Sequence, residues 1–324
     1  MEYYVYTEKD ASVQLMGFLQ SYNAETLITG SIAYKVFGNV QPEMADYFVC
    51  PVYNHAQDGT SLLYEHLKRE MPYYEGNESK HVFFDMHDQE EINSEIAGSI
   101  VFKPSATLEN KALPMYYPVP TTWYSWLAFA PAKPIGECQF DVGFQGTRAT
   151  HPIRDRIPDA MQGCREAGMK VYEQYQETFH FCLEPGERAY EMYTFYESIL
   201  NSRFVLCPRG AGLSSYRIFE ALASGRIPVI IADRIQLPLQ NVFPWHEFSI
   251  AVPESDIENT HQYITQWCGT HSVSRCARLA AKVWRGYFDP PGLGLKRFLD
   301  ASLVGRVNSL GTLSPSPCAV GSSA

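Results

Sequence analysis

The feature that most constrains the fold is the stretch RFVLCPRGAGLSSYRIFEALASGRIPVIIAD at residues 203–233. Its apolar start predicts a strand, its middle predicts an amphipathic helix, and the run IPVII predicts a second strand. Gly210 and Gly212 allow a tight turn between strand and helix, and Gly225 suits the position that ends the helix. The stretch therefore predicts a strand-helix-strand unit with parallel strands and a right-handed crossover.

The same alternation of short apolar runs and longer amphipathic segments extends along most of the chain. We expect strands at 46–52, 80–87, 97–104, 139–146, 179–184 and 248–252. We expect helices at 61–72, 151–168 and 187–202, and two more in the segments NTHQYITQWC and VSRCARLAAKVWRGYF. This pattern is typical of an α/β fold with parallel sheets.

The predicted elements form two series, separated by an irregular connection at 105–136 that is rich in proline, tyrosine and tryptophan. A chain of 324 residues is long enough for two domains. We therefore predict an N-terminal Rossmann-like domain at 1–136 and a second domain at 137–306 that ends in closing helices. The Ser-, Pro- and Gly-rich segment 307–324 is predicted to be a disordered tail.

The composition argues against several classes of protein. A net charge of −10 disfavours nucleic-acid binding, because affinity for phosphate backbones comes from Lys and Arg. The 8 cysteines form no Cys-x-x-Cys pair and no zinc spacing, so we expect reduced thiols. The chain shows neither a signal peptide nor an apolar run of membrane-spanning length. We expect a cytoplasmic location, for a soluble microbial or viral enzyme or for a chain whose membrane anchor is missing.

The turn after the strand RFVLCP has the properties of an anion site. A helix N-terminus at a strand end attracts anions, and Ser214 or Ser215 can cap the helix there. Arg209 and Arg217 can add charged hydrogen bonds, and Glu220 can accept bonds from the hydroxyls of a ribose. The alternative interpretation is a plain structural unit, in which Arg217 and Glu220 form an ordinary helix salt bridge.

The blocks SRFVLCPRG, SYRIFEALASGRIPV, DRIQLPL, a tryptophan and FSI follow one another from residue 202 to 250. In sequence and in order, these blocks resemble the exostosin family of glycosyltransferases. The segments ADYFVCPVY, YYEGNESKHVFFDMHDQ and DVGFQGTRATHPIRDRI resemble further family blocks. Arg226 stands where the family usually has Cys, and Lys80 stands where it has Asp. The resemblance covers about 45–260 and is strongest at 198–252.

This resemblance implies a GT-B fold, in which two Rossmann-like domains face each other across a cleft. It implies an inverting transferase that uses a UDP-sugar and holds the diphosphate without a metal ion or another cofactor, and the chain has no Asp-x-Asp motif. The second domain would bind the donor through basic, small and acidic residues. These donor-side candidates are Arg209, Gly210, Gly212, Ser214, Ser215, Arg217, Glu220, Gly146, Thr147, Arg148 and Arg154. For Arg154, an ion pair on the helix surface is an equal alternative.

An inverting transfer needs one general base, which the resemblance places in the segment FFDMHDQEE. Asp88 matches the Asp of the family's His-Asp block, His87 precedes it, and Asp85 is the second carboxylate candidate. A helix N-cap is the alternative role for Asp88. Aromatic side chains can stack on sugar rings, so Tyr73, Tyr74, Trp123 and Trp126 are acceptor-side candidates, with simple packing as the alternative.

The expected partners are a UDP-sugar donor and an acceptor that is an oligosaccharide or a glycoprotein glycan. A non-catalytic sugar- or nucleotide-binding protein with a degenerate GT-B fold is the main alternative. A Rossmann or flavodoxin-like oxidoreductase is a weaker one, because the chain lacks Gly-x-Gly-x-x-Gly.

Overall fold

The computed structural model describes residues 1–6, 25–26, 40–54, 64–65, 68–116, 126–128, 130–177, 182–289 and 294–311. The statements below concern these residues. They form two sheets, each built almost entirely of parallel strands and covered by helices. The predicted α/β class is confirmed.

The first sheet contains six strands, β1 Tyr3–Val5, β2 Glu25–Thr26, β3 Tyr47–Asn54, β4 His81–Asp85, β5 Ile100–Lys103 and β6 Leu113–Pro114. Their order is β1-β3-β4-β5-β6, and the short strand β2 pairs antiparallel with β3. All other neighbours are parallel. The carboxyl ends of β4 and β5 therefore lie at the same edge of the sheet.

The second sheet contains five strands, β7 Phe140–Thr147, β8 Val171–Gln176, β9 Ser202–Pro208, β10 Ile227–Ile231 and β11 Ile250–Val252. Their order is β11-β10-β9-β7-β8, and every pair is parallel. The chain winds outward in one direction from β7 to β8 and in the other from β9 to β11. The switch point lies between β7 and β9, where sheets of this kind form a ligand crevice at the carboxyl ends of the strands.

Six helices pack on these sheets: α1 Ile157–Glu166, α2 Pro185–Leu200, α3 Tyr216–Ala223, α4 Thr260–Thr270, α5 Val273–Val283 and α6 Gly294–Gly311. A 3-10 turn at Pro152–Arg156 precedes α1, and a π-turn at Trp284–Phe288 follows α5. Of the described residues within the predicted helix 61–72, those at 64–65 and 68–70 are helical, whereas 71 and 72 are not. Helix α6 extends into the segment predicted to be a disordered tail, and residues 312–324 lie outside the described residues.

Alternate residues of β9 point to opposite faces and fill two separate cores. Phe204 and Leu206 pack with α1 and α4, whereas Val205 and Cys207 pack with α2 and α3. The strand is buried on both faces, which explains its continuous apolar sequence. The core on the α3 face continues into the first sheet, so the two sheets share one hydrophobic cluster.

Aromatic rings join the two halves. Tyr116, just after β6, contacts Phe219 of α3, Phe288 of the π-turn and Phe298 of α6, with ring centroids 6.0, 5.1 and 5.0 Å away. Phe298 also packs on Phe102 of β5 at 5.5 Å. Helix α6 therefore packs against the first sheet, although it follows the second sheet in sequence.

One predicted strand is wrong. Residues 182–184 of the expected strand 179–184 are not extended in the sheet, and residues 178–181 lie outside the described residues. The strand that pairs with β7 is Val171–Gln176, whose sequence VYEQYQ is half-buried at every position. An edge strand of this kind needs few apolar side chains, so it gives no apolar run for sequence analysis to detect.

Gly225 ends α3 as predicted, with a φ of +62°. Its N–H donates to the carbonyl of Leu222, and the Arg226 N–H donates to Ala221, which is the hydrogen-bond pattern of a Schellman cap. We expect Gly225→Ala to lower the free energy of unfolding by about 1–2 kcal/mol, because a Cβ is strained in the left-handed region. Chemical denaturation measures this.

Gly269, in the last turns of α4, is the matched control, since a methyl group there meets no atom within 4 Å. Gly269→Ala should raise stability by up to ~1 kcal/mol, because alanine is the better helix former. Equal effects of the two substitutions would contradict the cap at Gly225.

Candidate functional site

The site lies at the switch point between β7 and β9, and a buried arginine holds it together. Arg154 donates from Nε to the carbonyl of Arg209 at 2.9 Å and from Nη1 to that of Thr147 at 2.9 Å. Its Nη2 donates to the carbonyl of Pro208 at 3.3 Å. Burial lowers the pKa of Arg154 to about 9, and the charge of Arg217 acts in the same direction. Arg154 thus ties the ends of β7 and β9 to the loop after β9.

That loop, residues 209–215, leads directly into α3. Ser215 is the N-cap, and its side chain makes no capping hydrogen bond. Ser214 and Ser215 are both mostly buried. Arg209 lies 3.8 Å from Glu254 through Nη1, and its buried Nε has no hydrogen-bond partner among the described residues. The loop therefore brings two hydroxyls and an arginine together at the N-terminus of α3.

Arg217 lies in the first turn of α3, and its side chain is buried. Its guanidinium carbon lies 4.8 Å from the ring centre of Phe144 and 5.3 Å from that of Phe195. Its Nη2 donates to the carbonyl of Gln145, and its Nε has no partner among the described residues. A methyl group at Gly146 would lie 2.8 Å from Nη2, so only glycine leaves room for this guanidinium at the end of β7.

Glu220 lies one helical turn after Arg217 and is also buried. Its Oε2 has no hydrogen-bond partner within the described part of the chain. Burial raises the pKa of the Glu220 carboxyl to about 7, although the positive charge of Arg217 acts against that rise. No salt bridge within 4.0 Å joins the two among the described residues, so the alternative of an ordinary helix ion pair does not describe them.

The basic groups of the site repel one another. The positive charge of Arg217 lowers the pKa of Arg154 beyond the effect of burial. Burial lowers the pKa of His151, and the charge of Arg209 lowers it further. Glu254 lies within ion-pairing distance of Arg209, while Arg154 and Arg217 have carbonyl partners instead. An excess of positive charge at a helix N-terminus suits a bound anion.

The first sheet contributes Asp88, three residues after β4. A methyl group at Gly212 would lie 2.8 Å from Asp88 Oδ1 and 3.3 Å from its Cα. The structure thus brings the predicted base residue to the predicted donor loop. Gly212 is required there because the two halves approach each other closely at this point.

His87 and Asp85 lie deeper than Asp88. The N–H of Gln89 donates to His87 Nδ1 at 3.2 Å, so a neutral His87 carries its proton on Nε2. That buried Nε2 has no partner among the described residues. Asp85 forms a buried salt bridge with Lys103 at 2.9 Å and accepts from the His87 N–H at 3.3 Å. Asp85 is therefore held by its own partners, whereas His87 can donate from Nε2.

Several predicted residues do not point into this site. Arg148 is exposed and forms a salt bridge with Asp155 at 3.1 Å. Arg154, described above, is buried and directs three hydrogen bonds to carbonyls, so the surface ion pair does not describe it. Thr147 is buried, and its Oγ1 accepts from the Ala149 N–H at 3.4 Å.

The predicted acceptor-side aromatics are dispersed. Tyr73 stacks on Phe48 at 6.0 Å, and Tyr74 lies edge-on to His81 at 4.7 Å. His81 begins β4, so both tyrosines lie at the opposite end of that strand from Asp88. Trp126 packs on Tyr193 of α2 at 5.0 Å, and Trp123 lies outside the described residues.

Sequence analysis missed His151 and Ser105. His151 follows β7 at the switch point, and burial and the positive charges of Arg209 and Arg154 lower its pKa. Ser105 follows β5 and contacts the donor loop. Both are polar residues just after the carboxyl end of a strand, which is the signal that could have identified them.

The raised pKa of Glu220 predicts how stability changes with pH. The folded state holds the proton of Glu220 more tightly than the unfolded chain does. The protonated carboxyl therefore contributes fully to folding stability below about pH 4.5, and this contribution is lost as the pH rises through about 7. We compare the free energy of unfolding of the wild type with that of Glu220→Gln at two pH values. Between pH 4.5 and pH 8, the wild type should lose about 3 kcal/mol of stability relative to the variant. Urea denaturation at both pH values measures this difference.

Glu258 provides the opposite control. A hydrogen bond from Arg156 lowers the pKa of Glu258, so the wild type should exceed Glu258→Gln in stability at neutral pH and lose that advantage in acid. A stability difference between wild type and Glu220→Gln that does not vary with pH would contradict the buried, isolated carboxylate.

Comparisons with known proteins identify the family of this chain. A probable glucuronoxylan glucuronosyltransferase of Arabidopsis thaliana is 26% identical over 289 residues, which are 76% of this chain and 58% of that protein. A probable glucuronosyltransferase of Oryza sativa subsp. japonica is 43% identical over 108 residues, which are 33% of this chain and 24% of the relative. The chain thus spans less than two thirds of the length of these relatives.

A solved glycosyltransferase structure from Rickettsia africae aligns with 94% of this chain and 82% of its own, with 10% identity and a TM-score of 0.43. A sequence model of the Exostosin GT47 domain matches residues 3–267, which include both sheets and the whole site. The resemblance inferred from the motifs is confirmed, and the chain belongs to the exostosin GT47 family of glycosyltransferases.

Proposed function

We propose that this chain transfers a sugar from a UDP-sugar to a glycan hydroxyl, with inversion at the anomeric carbon and without a metal ion. The observation that carries the proposal is the buried carboxylate of Glu220, whose Oε2 has no partner among the described residues. A buried acceptor of this kind is costly unless a ligand donates to it. The two vicinal hydroxyls of a ribose can supply that donation.

The residues around Glu220 suit the rest of a nucleoside diphosphate. The N-terminus of α3 and the hydroxyls of Ser214 and Ser215 come directly after the end of β9 and are proposed to contact a phosphate. Arg209 retains a buried Nε that can donate to the same group. As the bond from the anomeric carbon to UDP breaks, these groups stabilise the negative charge on the leaving diphosphate.

Asp88 is the proposed general base. Its carboxylate lies beside Gly212 of the donor loop, so it approaches the donor from the first sheet. It would accept the proton of the acceptor hydroxyl while that oxygen bonds to the anomeric carbon and UDP departs. His87 carries its proton on Nε2 when neutral, and is therefore placed to donate a hydrogen bond and not to act as the base.

The relatives suggest candidate substrates. Their names include glucuronosyltransferases and a β-1,4-xylosyltransferase, so UDP-glucuronic acid and UDP-xylose are the donors to test first. We propose an oligosaccharide or glycoprotein glycan as acceptor. Among the described residues, no group of three or more His, Cys, Asp or Glu side chains could hold a metal ion. None of the described helices is long and apolar enough to cross a membrane.

A non-catalytic binding protein is the alternative that shares this geometry. It would use the same Glu220 and Arg209 to bind a nucleotide and would not need a carboxylate at position 88. Turnover of a UDP-sugar separates the two functions.

The donor site predicts which substitutions weaken UDP binding. We expect Arg209→Ala and Glu220→Ala each to weaken binding by about 10- to 100-fold, because each removes a hydrogen bond to or from a charged group. Isothermal titration calorimetry with UDP measures this. Arg275→Ala is the control, since Arg275 is exposed near the start of α5 and should leave affinity unchanged. Unaltered binding in both site variants would contradict the assignment.

If Asp88 is the base, its loss should lower the rate of sugar transfer without weakening UDP binding. Asp88→Asn should lower kcat by about 10²- to 10⁴-fold, while UDP affinity stays near that of the wild type. UDP release from each UDP-sugar, with water or a xylo-oligosaccharide as acceptor, measures kcat. A wild type that binds UDP and turns over no UDP-sugar would favour the non-catalytic alternative, and full activity in Asp88→Asn would exclude Asp88 as the base.

A further inference from the structure

One side chain connects the proposed base to the donor loop. Ser105 follows β5 of the first sheet and is fully buried. Its hydroxyl donates to the main-chain carbonyl of Asp88 at 3.0 Å. The same oxygen accepts from the N–H of Leu213, in the donor loop of the second half, at 3.1 Å.

The Ser105 hydroxyl both donates and accepts a hydrogen bond in this contact. A serine hydroxyl has one proton to donate, which goes to Asp88, and an oxygen that accepts the proton of Leu213. One hydroxyl therefore satisfies one main-chain donor and one main-chain acceptor from opposite halves of the molecule. An apolar side chain at position 105 would leave both main-chain groups without this partner.

Gly212 makes the contact possible. A methyl group added there would lie 2.8 Å from Ser105 Oγ and 2.8 Å from Asp88 Oδ1. The hydroxyl and the carboxylate thus occupy the space that a side chain at position 212 would take. Both are held against the main chain of the loop that is proposed to bind the diphosphate.

Neighbouring contacts fix Ser105 itself. Asn110 donates from Nδ2 to the carbonyl of Ser105 at 3.0 Å and to that of Glu90 at 2.7 Å. Glu90 forms a salt bridge with Arg234, and the Gln236 N–H donates to the carbonyl of Ala106 at 3.0 Å. The segment 105–110 is therefore hydrogen-bonded to Glu90 in the first half and to Gln236 in the second half.

We propose that Ser105 is a positioning residue that sets Asp88 against the donor loop and thereby aligns the base with the donor sugar. This inference rests on the proposed function, because it assigns Ser105 a role in the same reaction. Ser105 does not touch the reacting atoms. It acts through the main chain of Asp88 on one side and of Leu213 on the other.

A double-mutant cycle with Asp88 tests this role. If Ser105 acts on rate through Asp88, Ser105→Ala should lower kcat for UDP-sugar turnover on the order of 10-fold in the wild type. In the Asp88→Asn background the same change should lower kcat by less than about 2-fold, because the group it positions is already absent. UDP affinity, measured by calorimetry, should change little in either background.

Ser99→Ala is the matched control. Ser99 lies just before β5, at the opposite end of that strand, and its hydroxyl bonds to that of Tyr74 at 3.1 Å. This variant should retain wild-type kcat. Gly212→Ala is a second route to the same contact and should also lower kcat, whereas Gly98→Ala, where a methyl group meets no atom within 4 Å, should not.

The effects of Ser105→Ala on kcat distinguish a failed positioning role from a failed transferase function. An equal fold loss from Ser105→Ala in both backgrounds would show a purely structural serine, and wild-type kcat in Ser105→Ala would show that the contact is unnecessary. Either result overturns the positioning role while the proposed function stands. A wild type without turnover would overturn the proposed function and the positioning role together. Full turnover in Asp88→Asn would overturn the base assignment and the positioning role.

Discussion

The burial of two opposite charges on the short helix α3 is the constraint on which the rest of the site depends. Arg217 and Glu220 are both removed from water, and neither neutralises the other through a direct salt bridge. Burying charge is costly unless it is compensated, so the surroundings must supply partners. Phe144, Phe195 and the carbonyl of Gln145 do this for Arg217. For Glu220 Oε2 the described protein supplies no partner, which points to a ligand.

The position of α3 follows from the topology of the second sheet. The strand order puts the switch point between β7 and β9, and Arg154 joins the ends of these two strands through three carbonyls. An arginine used in this way sets the path of the loop before α3. The first sheet then closes on that loop at Gly212, where the missing side chain admits Asp88 and Ser105. The site is therefore assembled from both halves, and neither sheet alone contains it.

Local patterns predicted much of this arrangement, while features set by distant contacts could not be predicted. The strand-helix-strand unit at 203–233 and the glycine that ends α3 follow from short-range rules, and the structure has both. The strand Val171–Gln176 was missed because its half-buried sequence lacks an apolar pattern. Arg154 was assigned to the ligand or to a surface pair, because its carbonyl partners are 7 to 55 positions away in sequence. The lack of a hydrogen-bond partner for Glu220 Oε2 likewise depends on how distant residues pack around it, so the local sequence could not predict it.

We propose that the buried carboxylate on α3 binds the ribose of a UDP moiety at the switch point, and a crystal structure of the chain with UDP would test this binding mode. We expect ribose hydroxyls within hydrogen-bonding distance of Glu220, and the diphosphate beside Arg209 and the N-terminus of α3. A nucleotide bound elsewhere, with Glu220 still lacking a ligand partner, would contradict it.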